Sequence, residues 1–102
     1  MPGKFQVEIT AVAETDVETI WVYIAQDSID AANSLMLHLE EQIGELEIFP
    51  LRCPNVPENE LLGTNYRHLL YGKYRIIFKI IDSRVIILRV LHMARLLDTE
   101  ML

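Results

Sequence analysis

The sequence of 102 residues contains a single cysteine, Cys53, so the chain by itself cannot form a disulfide or a site of clustered thiolates. It has no glycine-rich phosphate loop and no His-Glu-x-x-His motif. These absences remove support for nucleotide and zinc chemistry, and we expect no metal and no cofactor. A lone cysteine favours a reducing compartment, so the expected location is the cytoplasm.

Long apolar runs are absent as well. No stretch approaches the roughly 18 apolar residues of a membrane-spanning helix, and residues 1–4 lack the apolar core of a signal peptide. We therefore expect a soluble protein that is neither exported nor bound to a membrane. The chain has no internal repeats, and its 51% hydrophobic residues suffice for one core, so a single domain spanning residues 1–102 is expected.

Positive charge is scarce in the first part of the chain. The net charge is -6, but residues 1–63 hold two basic residues against twelve acidic ones, a net charge of -10, while residues 64–102 hold seven against three, a net charge of +4. This division indicates either two different working faces or two halves that neutralise each other in the fold. An acidic chain argues against a surface made mostly for phosphate, so no direct binding to DNA is expected.

Hydrophobic periodicity predicts one strand followed by two helices. Residues 5–9 alternate between apolar and polar side chains, as in a strand with one buried face. The first helix should begin after Thr10 as N-cap, and the second should begin at Asp27-Ser28 and end before Phe49-Pro50. The faces predicted to be buried carry Val17, Ile20, Trp21 and Ile24 on the first helix, and Ala32, Leu35, Leu39, Ile43 and Leu46 on the second.

The second part of the chain predicts three further strands. Residues 51–63 contain two prolines and no consistent period, which indicates a loop that crosses over the domain. Three alternating segments follow, joined by the hairpin turns Gly72-Lys73 and Asp82-Ser83: residues 66–71, 74–81 and 84–92. The predicted fold class is α+β, in the order β-α-α-β-β-β, with an antiparallel sheet covered on one face by a two-helix hairpin.

Several basic residues are embedded in the predicted strands, where charge is costly unless one face is wet or holds a ligand. If residues 82–83 form a two-residue turn, counting back along the hairpin places Arg75 opposite Val90 and on the same face as His92. With Arg95 just beyond the strand, these residues form the one constellation in the sequence suited to hold an anion and move a proton near neutral pH. The alternative is a set of solvated residues at the sheet rim.

Other titratable residues give weaker signals. Arg89 is expected on the sheet face opposite Arg75, and His68 lies within a strand where either face is open to it. Glu58 and Glu60 could reach the sheet from the crossing loop as a general base, although acids in a polar loop are ordinarily solvated.

A His-x-x-Arg ending closes the last predicted strand: Ile87-Leu88-Arg89-Val90-Leu91-His92-Met93-Ala94-Arg95. Four more segments belong to the same pattern, in order along the chain: Tyr23-Ile24-Ala25-Gln26-Asp27-Ser28 followed by Ala31-Ala32, then Phe49-Pro50, Tyr66-Arg67, and Tyr74-Arg75-Ile76-Ile77-Phe78. Together they resemble the ParE toxins of the RelE/ParE superfamily, over nearly the whole chain. Two positions differ from the usual ending, with Met93 in place of glycine and Leu96 in place of an acid.

This resemblance implies the same fold, a toxin of a toxin–antitoxin (plasmid stabilization) system, and an antitoxin partner whose C-terminal segment folds onto it. In the ParE branch the implied target is DNA gyrase, and in the RelE branch it is messenger RNA cut on the ribosome. Arg75 matches the transition-state arginine of RelE members and His92 a catalytic histidine of some of them, but the aromatic residue that follows there is Met93 here.

The acidic composition favours the gyrase interpretation. A ribosome-dependent ribonuclease must approach a densely anionic particle, to which a protein with pI ≈ 4.9 is poorly suited. Inhibition of gyrase requires only a specific protein surface. The ribonuclease and a non-toxic module that merely binds its antitoxin remain as alternatives.

Three groups of functional residues are expected on these grounds. The candidate catalytic or toxicity site consists of Arg75, His92 and Arg95. The candidate contacts to the target are Arg67, Arg75 and Arg95. An amphipathic, partly acidic antitoxin segment is expected to bind the basic sheet edge and the apolar residues that the helical hairpin does not need for its core, namely Val22, Met36 and Leu37.

Overall fold

The computed structural model describes residues 4–98. Its elements are β1 (Gln6–Ile9), α1 (Ala11–Ala25), α2 (Ile29–Glu45), a 3-10 turn (Pro50–Arg52), α3 (Asn59–Leu62), β2 (Arg67–Tyr71), β3 (Tyr74–Ile81) and β4 (Arg84–His92). The predicted order of strands and helices is confirmed. The crossing segment, predicted as a loop, also contains the 3-10 turn and the short helix α3.

The four strands form one sheet in the order β1-β4-β3-β2. β3 is antiparallel to both neighbours, which confirms the three-strand meander. β1 runs parallel to β4, so the sheet is mixed and not wholly antiparallel as predicted. A parallel neighbour requires a long crossover connection, and here the helical hairpin forms the first part of it. Periodicity within β1 carries no information about the direction of its partner.

Both long helices begin at the predicted caps. The Ser28 Oγ accepts a hydrogen bond from the Ala31 amide at 3.1 Å, and the Thr10 Oγ1 accepts one from the Ala13 amide at 3.1 Å. The Thr10 hydroxyl also donates to the carbonyl of Leu88 at 3.2 Å. These contacts fix the start of α1 against β4. The position of the candidate functional site depends on this placement of the helix.

The main core lies between the helical hairpin and the sheet. Its fully buried members include Ala13, Leu39 and Leu46 from the helices and Ile76, Phe78, Val85, Ile87 and Val90 from the sheet. Several residues of the predicted helical faces, such as Val17, Ile20 and Leu35, are only half-buried and pack around this centre. Trp21 is half-buried too, and its indole Nε1 donates to the Asn33 Oδ1 at 2.9 Å, joining α1 to α2.

A second, smaller cluster covers the other face of the sheet. It consists of Val56, Ile77, Leu91 and Leu97, with Leu62 and Tyr66 packed against it. The crossing segment and the residues after β4 thus lie over the face that the helices leave open, which gives the sheet two covered faces in this region.

Ion pairs join the acidic and basic halves of the chain. Three ion pairs link an acid from residues 1–63 to an arginine from residues 64–102: Glu8 with Arg84, Asp16 with Arg89, and Glu58 with Arg75. For these residues the second interpretation of the charge division, mutual neutralisation in the fold, is the correct one.

Candidate functional site

A β-bulge in the hairpin of β3 and β4 changes the predicted position of Arg75. The register shifts between Ile77 and Phe78, and Leu88 on the opposite strand has no partner in the ladder. Arg75 consequently lies opposite Leu91 and not opposite Val90. The predicted pairing assumed that no residue is skipped between the turn and Arg75. The bulge adds one unpaired residue to β4 and so shifts the partner of Arg75 by one position.

His92 lies on the face opposite Arg75, so the prediction that the two share a face is wrong. His92 pairs with Tyr74, the neighbour of Arg75, and successive residues of a strand point to opposite faces. The His92 and Tyr74 rings meet edge to face, with centroids 5.8 Å apart. His92 therefore lies on the side of the sheet that carries the helices, and Arg75 lies on the side covered by the crossing segment.

The Arg75 guanidinium is buried and its terminal nitrogens are engaged by the protein. It forms an ion pair with Glu58, in which Nη1 donates to Oε1 at 3.0 Å, and Nη2 also donates to the carbonyl of Arg95 at 2.8 Å. Only 4% of Arg75 is exposed. The Nε atom is buried without a hydrogen-bond partner among the described residues. The contacts of Arg75 are therefore with groups of the protein itself, and its guanidinium is largely shielded from solvent.

Glu58 reaches the sheet from the crossing segment, one of the two outcomes that the sequence left open. Its Oε2 accepts from the amide of Leu97 at 2.8 Å in addition to pairing with Arg75. The hydrogen bond from Arg75 is the main cause that lowers the pKa of Glu58 from 4.5 to about 2. Glu58 is thus a carboxylate in any physiological buffer and a poor general base.

His68 completes this buried cluster. Its Nδ1 lies 3.4 Å from the Arg75 Nη1, and since a guanidinium can only donate, Nδ1 acts as the acceptor and the proton is on Nε2. Burial and the neighbouring guanidinium lower the pKa of His68, so the ring is neutral near pH 7.

His92 and Arg95 come together on the opposite side, in an open groove of about 510 Å³ between α1 and the end of β4. We call it the His92 groove. Its wall on the helix consists of Thr19, Ile20 and Tyr23, and its wall on the sheet consists of Tyr74, His92 and Arg95. Two of the three residues predicted as the toxicity site are therefore neighbours, and the third, Arg75, is elsewhere.

The polar groups free in the His92 groove are mainly donors. Asp16 borders it, but its carboxylate is occupied by Arg89, with both contacts at 2.7 Å, and by the Val90 amide at 3.0 Å. The exposed Arg95 side chain has no carboxylate partner among residues 4–98. The groove is therefore suited to hold an anionic group.

The tautomer of His92 follows from its contact with the chain after β4. The His92 Nδ1 accepts a hydrogen bond from the Ala94 amide at 3.0 Å, which leaves the proton on Nε2. Nε2 can therefore donate to a ligand in the groove beside Arg95.

A neighbouring groove of about 440 Å³ runs along the outer surface of α1 and includes Val22. It shares Thr19 and Tyr23 with the His92 groove, so the two form one continuous surface. Val22 is 50% exposed and Leu37 on α2 is 62% exposed, as expected for residues left free for a partner. Met36 is half-buried and packs against the main core, which contradicts the expectation that the core does not need it.

Arg67 is held by the crossing segment. Its Nη1 donates to the carbonyl oxygens of Leu51 at 3.3 Å and Cys53 at 2.6 Å. Of the three arginines predicted to contact a target, Arg67 is half-buried, Arg75 is buried, and Arg95 is exposed. The predicted patch therefore reduces to Arg95 and its neighbour His92.

Within residues 4–98, no helix is both long and apolar enough to cross a membrane, and no group of three or more His, Cys, Asp or Glu side chains is arranged to hold a metal ion.

The same architecture, a four-stranded sheet with a helical hairpin on one face, occurs in solved toxin–antitoxin structures. One is a chromosomal ParDE toxin–antitoxin system from P. aeruginosa, with a TM-score of 0.67 and 18% sequence identity, over 87% of this chain and 96% of that chain. Another is the toxin–antitoxin complex RelBE2 from Mycobacterium tuberculosis, with a TM-score of 0.61 and 25% identity, over 87% of this chain and 98% of that chain. No curated protein sequence matches significantly.

The chain belongs to the family described as the ParE toxin of the type II toxin–antitoxin system, parDE, whose family model matches residues 7–97. The match includes both grooves and the buried Glu58–Arg75 pair, and it confirms the resemblance found in the sequence.

Proposed function

We propose that this ParE-family toxin inhibits DNA gyrase and is neutralised by a cognate antitoxin, as one part of a plasmid stabilization system in the cytoplasm. The whole chain, residues 1–102, acts as a single toxin domain in this proposal. The observation that carries it is the donor-rich His92 groove on a protein whose family is defined by ParE toxins.

The gyrase target is supported by the burial of Arg75. A ribonuclease of the RelE type needs a cation on the scissile phosphate, and in this sequence Arg75 occupies the matching position. Here its guanidinium is paired with Glu58 and only 4% of the residue is exposed. The net charge of -6 adds long-range repulsion from a ribosome. Recognition of a protein surface by His92 and Arg95 requires neither an accessible Arg75 nor a positive net charge.

Binding of an antitoxin is supported by the apolar surface of the hairpin. Val22 and Leu37 are exposed large apolar residues, and the groove that includes Val22 is continuous with the His92 groove through Tyr23. An amphipathic segment can place apolar side chains along α1 and an acid next to Arg95. Two solved structures similar to this chain are themselves described as toxin–antitoxin assemblies.

The target is tested by adding the purified protein to a gyrase supercoiling reaction and, separately, to a cell-free translation mixture. We expect inhibition of supercoiling without inhibition of translation, and in cells DNA breaks and filamentation while protein synthesis initially continues. Codon-specific cleavage of messenger RNA with unchanged supercoiling would establish the ribonuclease instead. Antitoxin binding with neither activity would indicate a non-toxic binding module.

A further inference from the structure

Two polar contacts with Arg75 and Glu58 help to hold the chain after β4 against the sheet. The carbonyl of Arg95 accepts from the Arg75 Nη2 at 2.8 Å, and the amide of Leu97 donates to the Glu58 Oε2 at 2.8 Å. The Leu97 side chain is 2% exposed and packs in the second cluster. Residues 93–98 therefore have a defined path although they form neither helix nor strand.

Glu58 is the residue on which these contacts converge. Its two carboxylate oxygens serve the guanidinium of Arg75 in β3 and the amide of Leu97, so three distant parts of the sequence meet at one side chain. Burying a carboxylate and a guanidinium has a large desolvation cost, and such a pair adds little net stability compared with apolar residues of similar size. A contribution to stability alone therefore does not explain well why a charged Glu58 occupies this buried position.

The path of residues 93–98 also determines the geometry of the His92 groove on the other side of the sheet. The amide of Ala94 donates to the His92 Nδ1 at 3.0 Å, and the amide of Arg95 donates to the carbonyl of His92 at 2.9 Å. The orientation of the His92 ring and the origin of the Arg95 side chain thus depend on the short segment whose far end is held by Glu58.

We propose that Glu58 is a positioning residue: acting through Arg75 and Leu97, it holds residues 93–98 so that His92 and Arg95 are set in the His92 groove. The importance of this geometry for toxicity rests on the proposed function, since it assumes that the groove contacts the target. The positioning itself does not depend on the identity of the target.

The test compares Glu58→Ala and Glu58→Gln with Glu60→Gln, the matched control. Glu60 is an exposed acid two residues away in the same segment. Glutamine at position 58 keeps an oxygen for the Leu97 amide and loses the charge, whereas alanine loses both. We expect hydrogen exchange of the Leu97 amide to be about tenfold faster or more in Glu58→Ala, intermediate in Glu58→Gln, and unchanged in Glu60→Gln.

Two further readouts separate positioning from a general loss of stability. The ¹⁵N chemical shift of the His92 Nδ1 reports its hydrogen bond to Ala94, and we expect it to change in Glu58→Ala at temperatures where urea titration shows the variant to be folded. Inhibition of supercoiling, corrected for the folded fraction, should fall about tenfold or more in the same variant. Leu97→Ala loosens the segment from its apolar side and should give the same pattern, so the proposal can be tested even if Glu58→Ala does not fold.

The outcomes are distinct. If the folded Glu58 variants or Leu97→Ala keep the wild-type His92 signal and the exchange of residues 93–98, the positioning role is wrong. A second outcome is that the His92 signal and the amide exchange of residues 93–98 change while the inhibition of supercoiling per folded molecule stays the same. The geometry of the groove would then be irrelevant to toxicity, and the functional part of the proposal would be wrong. If the wild-type protein inhibits neither supercoiling nor translation, the proposed function fails, while exchange and the His92 signal still decide the positioning.

Discussion

Arg89 and Asp16 form a two-contact ion pair across the edge of the sheet, with Nε to Oδ2 and Nη2 to Oδ1 both at 2.7 Å. The same carboxylate accepts from the Val90 amide, so one side chain of α1 satisfies both the arginine and the backbone of β4 beyond the end of β1. Asp16, which borders the His92 groove on the side of the helix, is therefore already engaged by the protein itself.

We expect Asp16→Ala to destabilise the fold more than Arg89→Ala, by roughly 2–3 kcal/mol against 1–2 kcal/mol, because it removes the carboxylate that accepts from both Arg89 and the Val90 amide. Urea unfolding measures both values. The matched control is Glu8→Ala, which removes an acid from the exposed pair with Arg84 and should have a clearly smaller effect. Equal losses from Asp16→Ala and Glu8→Ala would show that the Asp16 contacts stabilise the fold no more than the exposed pair does.

Arg75→Ala should lower the free energy of unfolding by about 3 kcal/mol, because it leaves the Glu58 carboxylate buried without its cation. A solvated residue at the sheet rim, which the sequence left open as an alternative for Arg75, would cost little stability when replaced. Arg95→Ala removes the same charge from an exposed position and should leave the urea midpoint nearly unchanged. If both variants are as stable as the wild type, the Glu58–Arg75 pair contributes nothing to the fold.

The free energy of unfolding should decrease at low pH because Glu58 becomes protonated. The pKa of Glu58 is lowered in the folded protein, so its contribution is fully present above its unfolded pKa of 4.5 and is lost as the pH falls toward about 2. At 1.36 kcal/mol per pKa unit, the contribution is roughly 3 kcal/mol. Unfolding of the wild type and Glu58→Gln at pH 7, 4 and 3 should show a difference that shrinks with acid. Glu60→Gln should follow the wild type at every pH, and a constant gap for Glu58→Gln would contradict the lowered pKa.

His92→Ala and Arg95→Ala should reduce growth arrest while leaving the circular dichroism spectrum unchanged, because both side chains line the groove and are exposed. We expect at least about a tenfold recovery of colony counts, from the loss of a charge-assisted contact. Lys73→Ala, which removes an exposed charge from the β2–β3 turn, is the control and should remain toxic. Full toxicity of both groove variants would exclude the His92 groove as the target-binding site.

Val22→Glu and Leu37→Glu should weaken copurification with the cognate antitoxin, because a charge on each exposed anchor opposes burial of an apolar segment. Leu61→Glu makes the same kind of change at a residue that is 88% exposed on α3, and should bind normally. Met36→Ala should instead reduce stability, since Met36 packs against the core. Unchanged binding by both glutamate variants would place the antitoxin elsewhere.

Most of the fold followed from local patterns, whereas the site depended on features that local patterns do not contain. Thr10 and Ser28 could be recognised as caps because a hydroxyl just before a helical period has few other roles. The β-bulge could not, because Leu88 continues the apolar run of β4 without a glycine or a charge to indicate the extra residue. Because of this one extra residue, His92 and Arg75 lie on opposite faces of the sheet, whereas the sequence predicted that they share a face.

Hydrophobic periodicity could predict neither the burial of Glu58 nor the direction of β1. The position of Glu58 under the sheet depends on how the crossing segment folds back, and a glutamate that directly follows a proline has the same local sequence whether it is buried or solvated. A basic residue in a strand interior was the one useful signal: it requires a wet face, a ligand or a buried acid, and the third option applied to Arg75.

The parallel pairing of Gln6 with Arg84 places the first strand beside the last one. A chain emerging from the ribosome can form its helical hairpin early, but β1 has no partner until β4 has been synthesised. Closure of such sequence-distant contacts is slow compared with the formation of a local hairpin. The His92 groove, which needs Thr19 of α1 and Arg95 after β4 together, is therefore assembled only after Arg95 has been synthesised, and nascent chains lack this surface until then.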